Sequence, residues 1–274
     1  MSQPNLEALR GTCKEVREDI LRMLCEAGSG HPGGSLSAVE LLVGLYFTQL
    51  KHRPSEPGWP ERDRFILSKG HIAPALYAVM AHTGYFPREE LLTLRKLGSR
   101  LQGHPASLKL PGIEVSSGSL GQGLSVGVGL ALAAKLDGAA WRTYVMMGDG
   151  ETQEGEIWEA AMSAAHYRLD NLCGIVDRNY LQIDGCTEEV MALDPYADKW
   201  KAFGWNVLEI DGHSLAEVVA AYEEAARTKG KPTVIVARTV KGKGVPFMED
   251  KAGWHGRAPK PEELEEALKT LTVL

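Results

Sequence analysis

The sequence has no CxxC pair, no excess of basic charge and no long apolar run. Its four cysteines, Cys13, Cys25, Cys173 and Cys186, are scattered. That argues against a disulfide framework or a cysteine zinc site and for reduced thiols, so a cytoplasmic location is expected. Lysine and arginine total 30 against 36 acids, a net charge of −6. A nucleic-acid partner, which calls for a basic face, is not expected. No stretch approaches the roughly 18 apolar residues of a membrane span, and the longest, Leu124 to Ala134, is broken by glycines and a serine. The first residues lack a charged region followed by an apolar one, so no secretory signal is expected. Repeats and low-complexity tracts are also missing.

What is present is an ordinary globular composition, 44% apolar and 24% charged over 274 residues. That length suffices for a large core without staples. Glycine is unevenly used: it gathers at Gly28–Gly34, Gly118–Gly129, Gly148–Gly155 and Gly242–Gly244. Glycine serves where backbone turns sharply or comes close to something, so these clusters suggest loops converging on a ligand.

Five short β-branched runs read as strands: Phe65–Leu67, Thr143–Met147, Leu172–Val176, Trp205–Ile210 and Thr233–Ala237. Helical patterns lie between the last four. Leu6 to Glu26 has apolar residues at helical spacing. Ser37…Glu40, Ser119…Gln122 and Ser214…Glu217 match capping boxes, Asp194-Pro195 reads as N-cap and first helical residue, and Pro261 opens the last helix. Alternating strands and helices imply a three-layer α/β/α fold with a central, mainly parallel sheet. The expectation is a single domain over residues 1–274, with an N-terminal helical extension and a C-terminal helix.

Ligands in such sheets bind beyond the carboxyl ends of the strands. The loop after Met147 reads Gly148-Asp149-Gly150-Glu151, and the strand ending at Val176 runs into Asp177-Arg178-Asn179-Tyr180-Leu181. A carboxylate, an amide oxygen and a nearby carbonyl are hard ligands suited to Mg²⁺ or Ca²⁺, with phosphate oxygens completing the shell. The competing reading is structural: Asp149 caps the next helix and Asn179 sits in a turn.

Gly148-Asp149-Gly150 followed by Asn179, 30 residues past the aspartate, resembles the thiamine diphosphate motif. It is accompanied by Gly30-His31-Pro32-Gly33, Asp63-Arg64-Phe65, Ser68-Lys69-Gly70-His71, Gly103-His104-Pro105 and Gly118-Ser119-Leu120-Gly121-Gln122-Gly123. In identity and order these segments, from about Glu15 to Pro259, are similar to the N-terminal diphosphate-binding domain of transketolase. The resemblance implies Mg²⁺ held by Asp149, Asn179 and the carbonyl of Leu181. It implies contacts to the cofactor from Gly150, from the Gly118-Ser119-Leu120 loop, and from Asn179, His71, Lys241 and His255. It also implies catalytic or substrate-facing roles for His31, His71, His104 and His255. Imidazoles suit a ketose, whose hydroxyl protons must move near neutral pH. Arg178 stands where the family often has Asp or Asn; it is either a surface residue or a further anion contact, and a surface position is expected for it. His52, His82 and His166 carry no motif and read as structural. Glu154 and Glu159 are either first-turn acids favoured by the helix dipole or, as the resemblance implies, residues of a subunit interface.

Transketolases carry two further domains after this one, and 274 residues leave no room for them. The expectation is therefore the N-terminal subunit of a split transketolase, with thiamine diphosphate and Mg²⁺ as cofactors and sugar phosphates as substrates. A C-terminal transketolase subunit, holding the pyrimidine-binding and C-terminal domains, would complete a heterotetramer. The alternatives are a related thiamine diphosphate enzyme subunit specific for an unusual sugar phosphate, a deoxyxylulose-phosphate synthase-like enzyme, a non-catalytic regulatory subunit, and a metal-dependent phosphate binder unrelated to thiamine.

Overall fold

The computed structural model describes residues 4–271; the outermost residues of the expected 1–274 unit lie outside the described residues. The five β-branched runs form β1 (Arg64–Leu67), β2 (Thr143–Gly148), β3 (Leu172–Arg178), β6 (Asn206–Asp211) and β7 (Thr233–Arg238). A small hairpin, β4 (Leu181–Gln182) and β5 (Gly185–Cys186), follows β3. The main sheet has the order β1-β2-β3-β7-β6, and every pair in it is parallel.

The helices are α1 (Leu6–Ala27), α2 (Pro32–Ser37), α3 (Val39–Gly44), α4 (Ala73–His82), α5 (Gln122–Leu136), α6 (Gly155–His166), α7 (Thr187–Val190), α8 (Tyr196–Ala202), α9 (Leu215–Arg227) and α10 (Pro261–Thr270). Alternate strand residues point to opposite faces, and this period divides the core in two. Phe65, Leu67, Tyr144, Met146, Cys173, Ile175, Ile235 and Ala237 join buried side chains of α1, α3, α4 and α9 on one face. Ile66, Val145, Met147, Leu172, Val176, Val234 and Val236 join α5, α6 and α8 on the other. The expected three layers are thus built by strands that are apolar on both sides, which is why they read as continuous runs.

The helix starts depart from local capping. Ser214 does cap α9, accepting the N–H of Glu217, and Pro261 does open α10. Ser37, however, is the last residue of α2, and its hydroxyl turns to Gly34 O and the Asp177 carboxylate. Ser119 does not cap α5, which begins three residues later behind Gly121 at φ 87°. The N–H of Gly121 donates to Glu151 Oε1 at 3.0 Å and that of Gly123 to Ser68 Oγ at 3.1 Å. Side chains from two other loops therefore satisfy the amides that capping-box spacing gives to a local serine. Gly123 is needed there, since a Cβ would lie 2.4 Å from Ser68 Cβ. Pro195 is the N-cap of α8 rather than its first residue, because the Asp194 carboxylate is drawn to Arg178.

Candidate active site

The carboxyl ends of β1, β2, β3 and β7 open into one cleft of about 340 Å³. His31, His71, His104, His255, Gly118, Leu120, Asp149, Gly150, Asn179, Leu181 and Lys241 all line it. Among the expected residues, Ser119 is not part of the lining: it is exposed on the turn before α5. Lys69, Gly148, Glu151, Gln153, Gln182, Ile183 and Asp184 also line the cleft.

At the inner end, Asp149 follows β2 and is buried. Its Oδ1 accepts the N–H of Gly150 at 2.8 Å and its Oδ2 that of Tyr180 at 2.6 Å. These bonds tie the β2 and β3 loops together. Asn179 Oδ1 accepts the N–H of Leu181 at 3.1 Å, and the Leu181 carbonyl accepts from Lys241 Nζ at 3.1 Å. Burial, and then the neighbouring Asp177, push the Asp149 carboxyl upward. Among the described residues no three His, Cys, Asp or Glu side chains converge as metal ligands. The donor set is instead one carboxylate, one amide oxygen and one carbonyl, all hard oxygens, with the carbonyl already turned toward a cation. That chemistry fits Mg²⁺ with further oxygens supplied by a diphosphate.

The floor is built by residues that the sequence marks only weakly. Lys69 and Asp177 form a fully buried ion pair, and the Asp177 carboxylate also accepts the hydroxyls of Ser37 and Thr239. Burial alone would raise the Asp177 carboxyl, but Lys69 and these hydroxyls hold it below its usual range. Glu151 accepts from Ser68 Oγ, Gly121 N and Gly148 N, so it braces three loops at once. The sequence signal for such residues is a charge at the end of an apolar strand, which burial obliges to find a partner.

The outer part of the cleft is a group of imidazoles. Ring centroids are 5.2 Å apart for His31 and His71, 5.5 Å for His31 and His255, 5.2 Å for His71 and His255, and 6.2 Å for His31 and His104. Burial, then Arg95, His104 and Lys241, lowers His31 to about 4. Burial, then Lys241 and His31, lowers His255 to about 3. His71 is held well below its usual value by burial and Lys69, and His104 is lowered by burial and Arg95. All four rings are therefore neutral near pH 7. The Nδ1 atoms of His31 and His255 are buried without a hydrogen-bond partner. Such atoms carry a desolvation cost that a bound oxygen would relieve.

The family described as "Transketolase, thiamine diphosphate binding domain" matches residues 12–273. The chain belongs to the transketolase family. It is 46% identical over 267 residues to an apulose-4-phosphate transketolase subunit from Phocaeicola vulgatus, covering 97% of this chain and 95% of that one. It is 49% identical over 255 residues to the 6-deoxy-6-sulfo-D-fructose transketolase subunit SqwG of a Clostridium species, covering 93% and 92%. Among solved structures, Campylobacter jejuni transketolase superposes with a TM-score of 0.91 at 32% identity, over 99% of this chain and 45% of that one. The chain thus spans under half the length of that transketolase.

Arg178 is not at the surface, where the sequence places it. It is 2% exposed, because three side chains of the following loop and Asp149 surround its guanidinium. Glu154 is an exposed residue at the rim of the cleft, in the N-cap position of α6 but without a side-chain capping bond, while Glu159 is exposed on α6. His213, which no motif marks, bridges the buried Glu40 carboxylate and the N–H of Val240.

Proposed function

We propose that this chain is the N-terminal subunit of a two-chain transketolase, which moves a two-carbon ketol unit from a ketose phosphate to an aldose phosphate. The observation that carries this reading is the meeting of Asp149, Asn179 and Leu181 with four neutral imidazoles in one cleft. Thiamine diphosphate, when bound, supplies the thiazolium carbon nucleophile for the donor carbonyl. Asp149, Asn179 and the Leu181 carbonyl would hold Mg²⁺, which would supply positive charge to the diphosphate. Gly150, whose N–H donates to Asp149 Oδ1, would lie beside the phosphate oxygens, and the Lys241 ammonium would add positive charge there. His71 and His255 would contact the cofactor and the substrate, while His31 and His104 would face substrate hydroxyls.

The imidazoles are suited to that work by burial. A neutral ring donates from one nitrogen and accepts at the other, so it orients a hydroxyl and takes or returns its proton at the same atom. Relatives named for apulose 4-phosphate and 6-deoxy-6-sulfo-D-fructose support a ketose with an anionic terminal group as donor.

A partner chain is part of the proposal. Relatives of nearly the same length are named as subunits. Large apolar side chains stand exposed at Leu120 and Val126 by the start of α5, at Met162 on α6, at Ile183 on the cleft wall, and at Val190 and Met191 beyond it. Exposed apolar area beside a site is a common mark of a protein interface. We propose a pyrimidine-binding and C-terminal subunit there, in a heterotetramer, and a cytoplasmic location for an enzyme whose cysteines are all free thiols.

The test is a ketol-transfer assay with thiamine diphosphate and Mg²⁺, run with the chain alone and with the product of an adjacent pyrimidine-domain reading frame. Turnover is expected only with both chains. Robust turnover by this chain alone would overturn the split-subunit reading.

A further inference from the structure

The segment from Asn179 to Tyr196 carries two of the three metal ligands and forms one wall of the cleft through Gln182, Ile183 and Asp184. Its regular structure is slight: the hairpin of β4 and β5 and the single turn of α7. A segment so poor in backbone ladder needs side-chain anchors to hold ligands in place. Gln153 donates to Gln182 Oε1 and the Met191 carbonyl, Lys241 to the Leu181 carbonyl and Lys199 to the Leu193 carbonyl, but the largest single group of anchors meets at Arg178.

The Arg178 guanidinium donates from Nη1 to Thr187 Oγ1 at 2.9 Å, and from Nη2 to Glu188 Oε1 at 2.8 Å and Asp194 Oδ1 at 3.1 Å. Nη1 also lies 3.5 Å from Asp149 Oδ2. Its plane rests on the Tyr180 ring at 4.1 Å and near the Tyr196 ring at 4.9 Å. Each partner extends the clamp. Thr187 N donates to Tyr180 O at 2.9 Å, closing the hairpin. Glu188 accepts the N–H groups of Leu193 and Asp194. The Tyr196 hydroxyl reaches Thr152 Oγ1 at 3.1 Å, and that threonine in turn holds the Asp149 carbonyl. Tyr180, directly between the ligands Asn179 and Leu181, is held at φ 62°, a conformation that a bulky side chain adopts only under constraint.

We propose that Arg178 is a positioning residue for the metal centre: its planar fork locks the 179–196 segment so that Asn179 and the Leu181 carbonyl face the same point as Asp149. A fork is required because the partners lie in several directions around one plane. A lysine ammonium at the same place would be a point charge without the two-nitrogen geometry or the ring stacking. The guanidinium also partly offsets the Asp149 charge, while Glu188 and Asp194 more than balance it.

This inference rests on the metal-binding reading above, so its test has a readout that needs no cofactor. Hydrogen exchange of the full chain without ligands is compared for wild type, Arg178→Lys and Glu188→Gln. Mg²⁺ is then titrated calorimetrically with thiamine diphosphate and the partner chain present. Arg178→Lys is expected to melt cooperatively, to lose amide protection selectively within 180–194, and to bind Mg²⁺ at least about tenfold more weakly, the scale of removing a group that orients ligands. Glu188→Gln keeps the guanidinium against Asp149 and is expected to show the same pattern in milder form. It carries the test if Arg178→Lys does not fold. Wild-type protection and Mg²⁺ affinity in Arg178→Lys, or lost protection with unchanged Mg²⁺ affinity, would overturn the proposal. A wild-type chain that takes up no Mg²⁺ with thiamine diphosphate even when the partner chain is present would instead count against the proposed function.

Discussion

The Lys241 ammonium donates to the backbone carbonyl of Leu181 across 3.1 Å, bringing the β7 loop to the oxygen that is expected to meet Mg²⁺. The lysine is 2% exposed, and burial, followed by repulsion from Lys69, lowers it to about 8. Its charge is thus held at a cost that the fold alone does not recover. Lys241→Met is expected to leave the melting temperature equal to or above that of wild type. The same change weakens thiamine diphosphate binding roughly tenfold or more, the worth of a charge-assisted hydrogen bond. Calorimetric melting and a cofactor titration on one preparation check both halves. A destabilised variant with unaltered cofactor affinity contradicts this account.

Asp149 separates charge from geometry. Asp149→Asn keeps an oxygen to accept from Gly150 or Tyr180 but removes the one formal negative charge in the ligand set. Mg²⁺ affinity in the presence of thiamine diphosphate should fall by about tenfold or more, since ligand charge sets the hold on a hard cation. Burial already raises this carboxyl, so the neutral amide relieves a desolvation cost, but its amino group leaves one of the two N–H groups unpaired, and stability should fall by no more than about 1–3 kcal/mol. Mg²⁺ titration beside urea unfolding measures the two effects separately.

The histidine cluster predicts an acid-sensitive fold. His31 at about 4 and His255 at about 3 are lowered by burial in the folded chain, while in the unfolded chain histidine titrates near 6.5. Below that value the unfolded state binds more protons than the folded one, so stability must fall as pH falls. It is fully present above about 6.5 and lost progressively toward the folded values. The urea midpoint should be lower at pH 5 than at pH 7.5. A His31→Gln/His255→Gln variant should show a shallower dependence, and an unchanged slope would rule out the cluster as its source.

Glu40 on α3 is the counter-charge of Arg17 on α1, with both side chains almost fully buried. Burial would raise the Glu40 carboxyl, but Arg17 and His213 outweigh it and hold it at about 2. Arg17 also donates to the carbonyls of Lys243 and Leu36, so the pair ties the N-terminal helix to the loop after β7. Glu40→Ala leaves a buried guanidinium without compensation and should cost about 3–5 kcal/mol. Equilibrium urea unfolding measures it, and a loss below about 1 kcal/mol would place the pair among weak surface bridges.

Patterning along the chain was enough for the three-layer class, because short β-branched runs apolar on both faces, alternating with helices, need cover on both sides. For the cleft, the strand pattern marked only the loops of Asp149 and Asn179; His31, His71, His104, His255 and Lys241 were expected there from the transketolase resemblance, since a loop histidine carries no local sign of what it faces. Local spacing did not decide the partners of polar groups once they were buried. Ser37 and Ser119 sit at capping-box spacing, yet Ser37 is claimed by Asp177 across the sheet, and the amides near Ser119 are claimed by Glu151 and Ser68. Arg178 reads as a solvated side chain along the sequence and becomes the hub of the 179–196 segment in space. Water satisfies any exposed polar group, so sequence neighbours suffice to describe it. A buried one must take whichever partner tertiary packing brings within reach, and that partner is set by strand order rather than by distance along the chain.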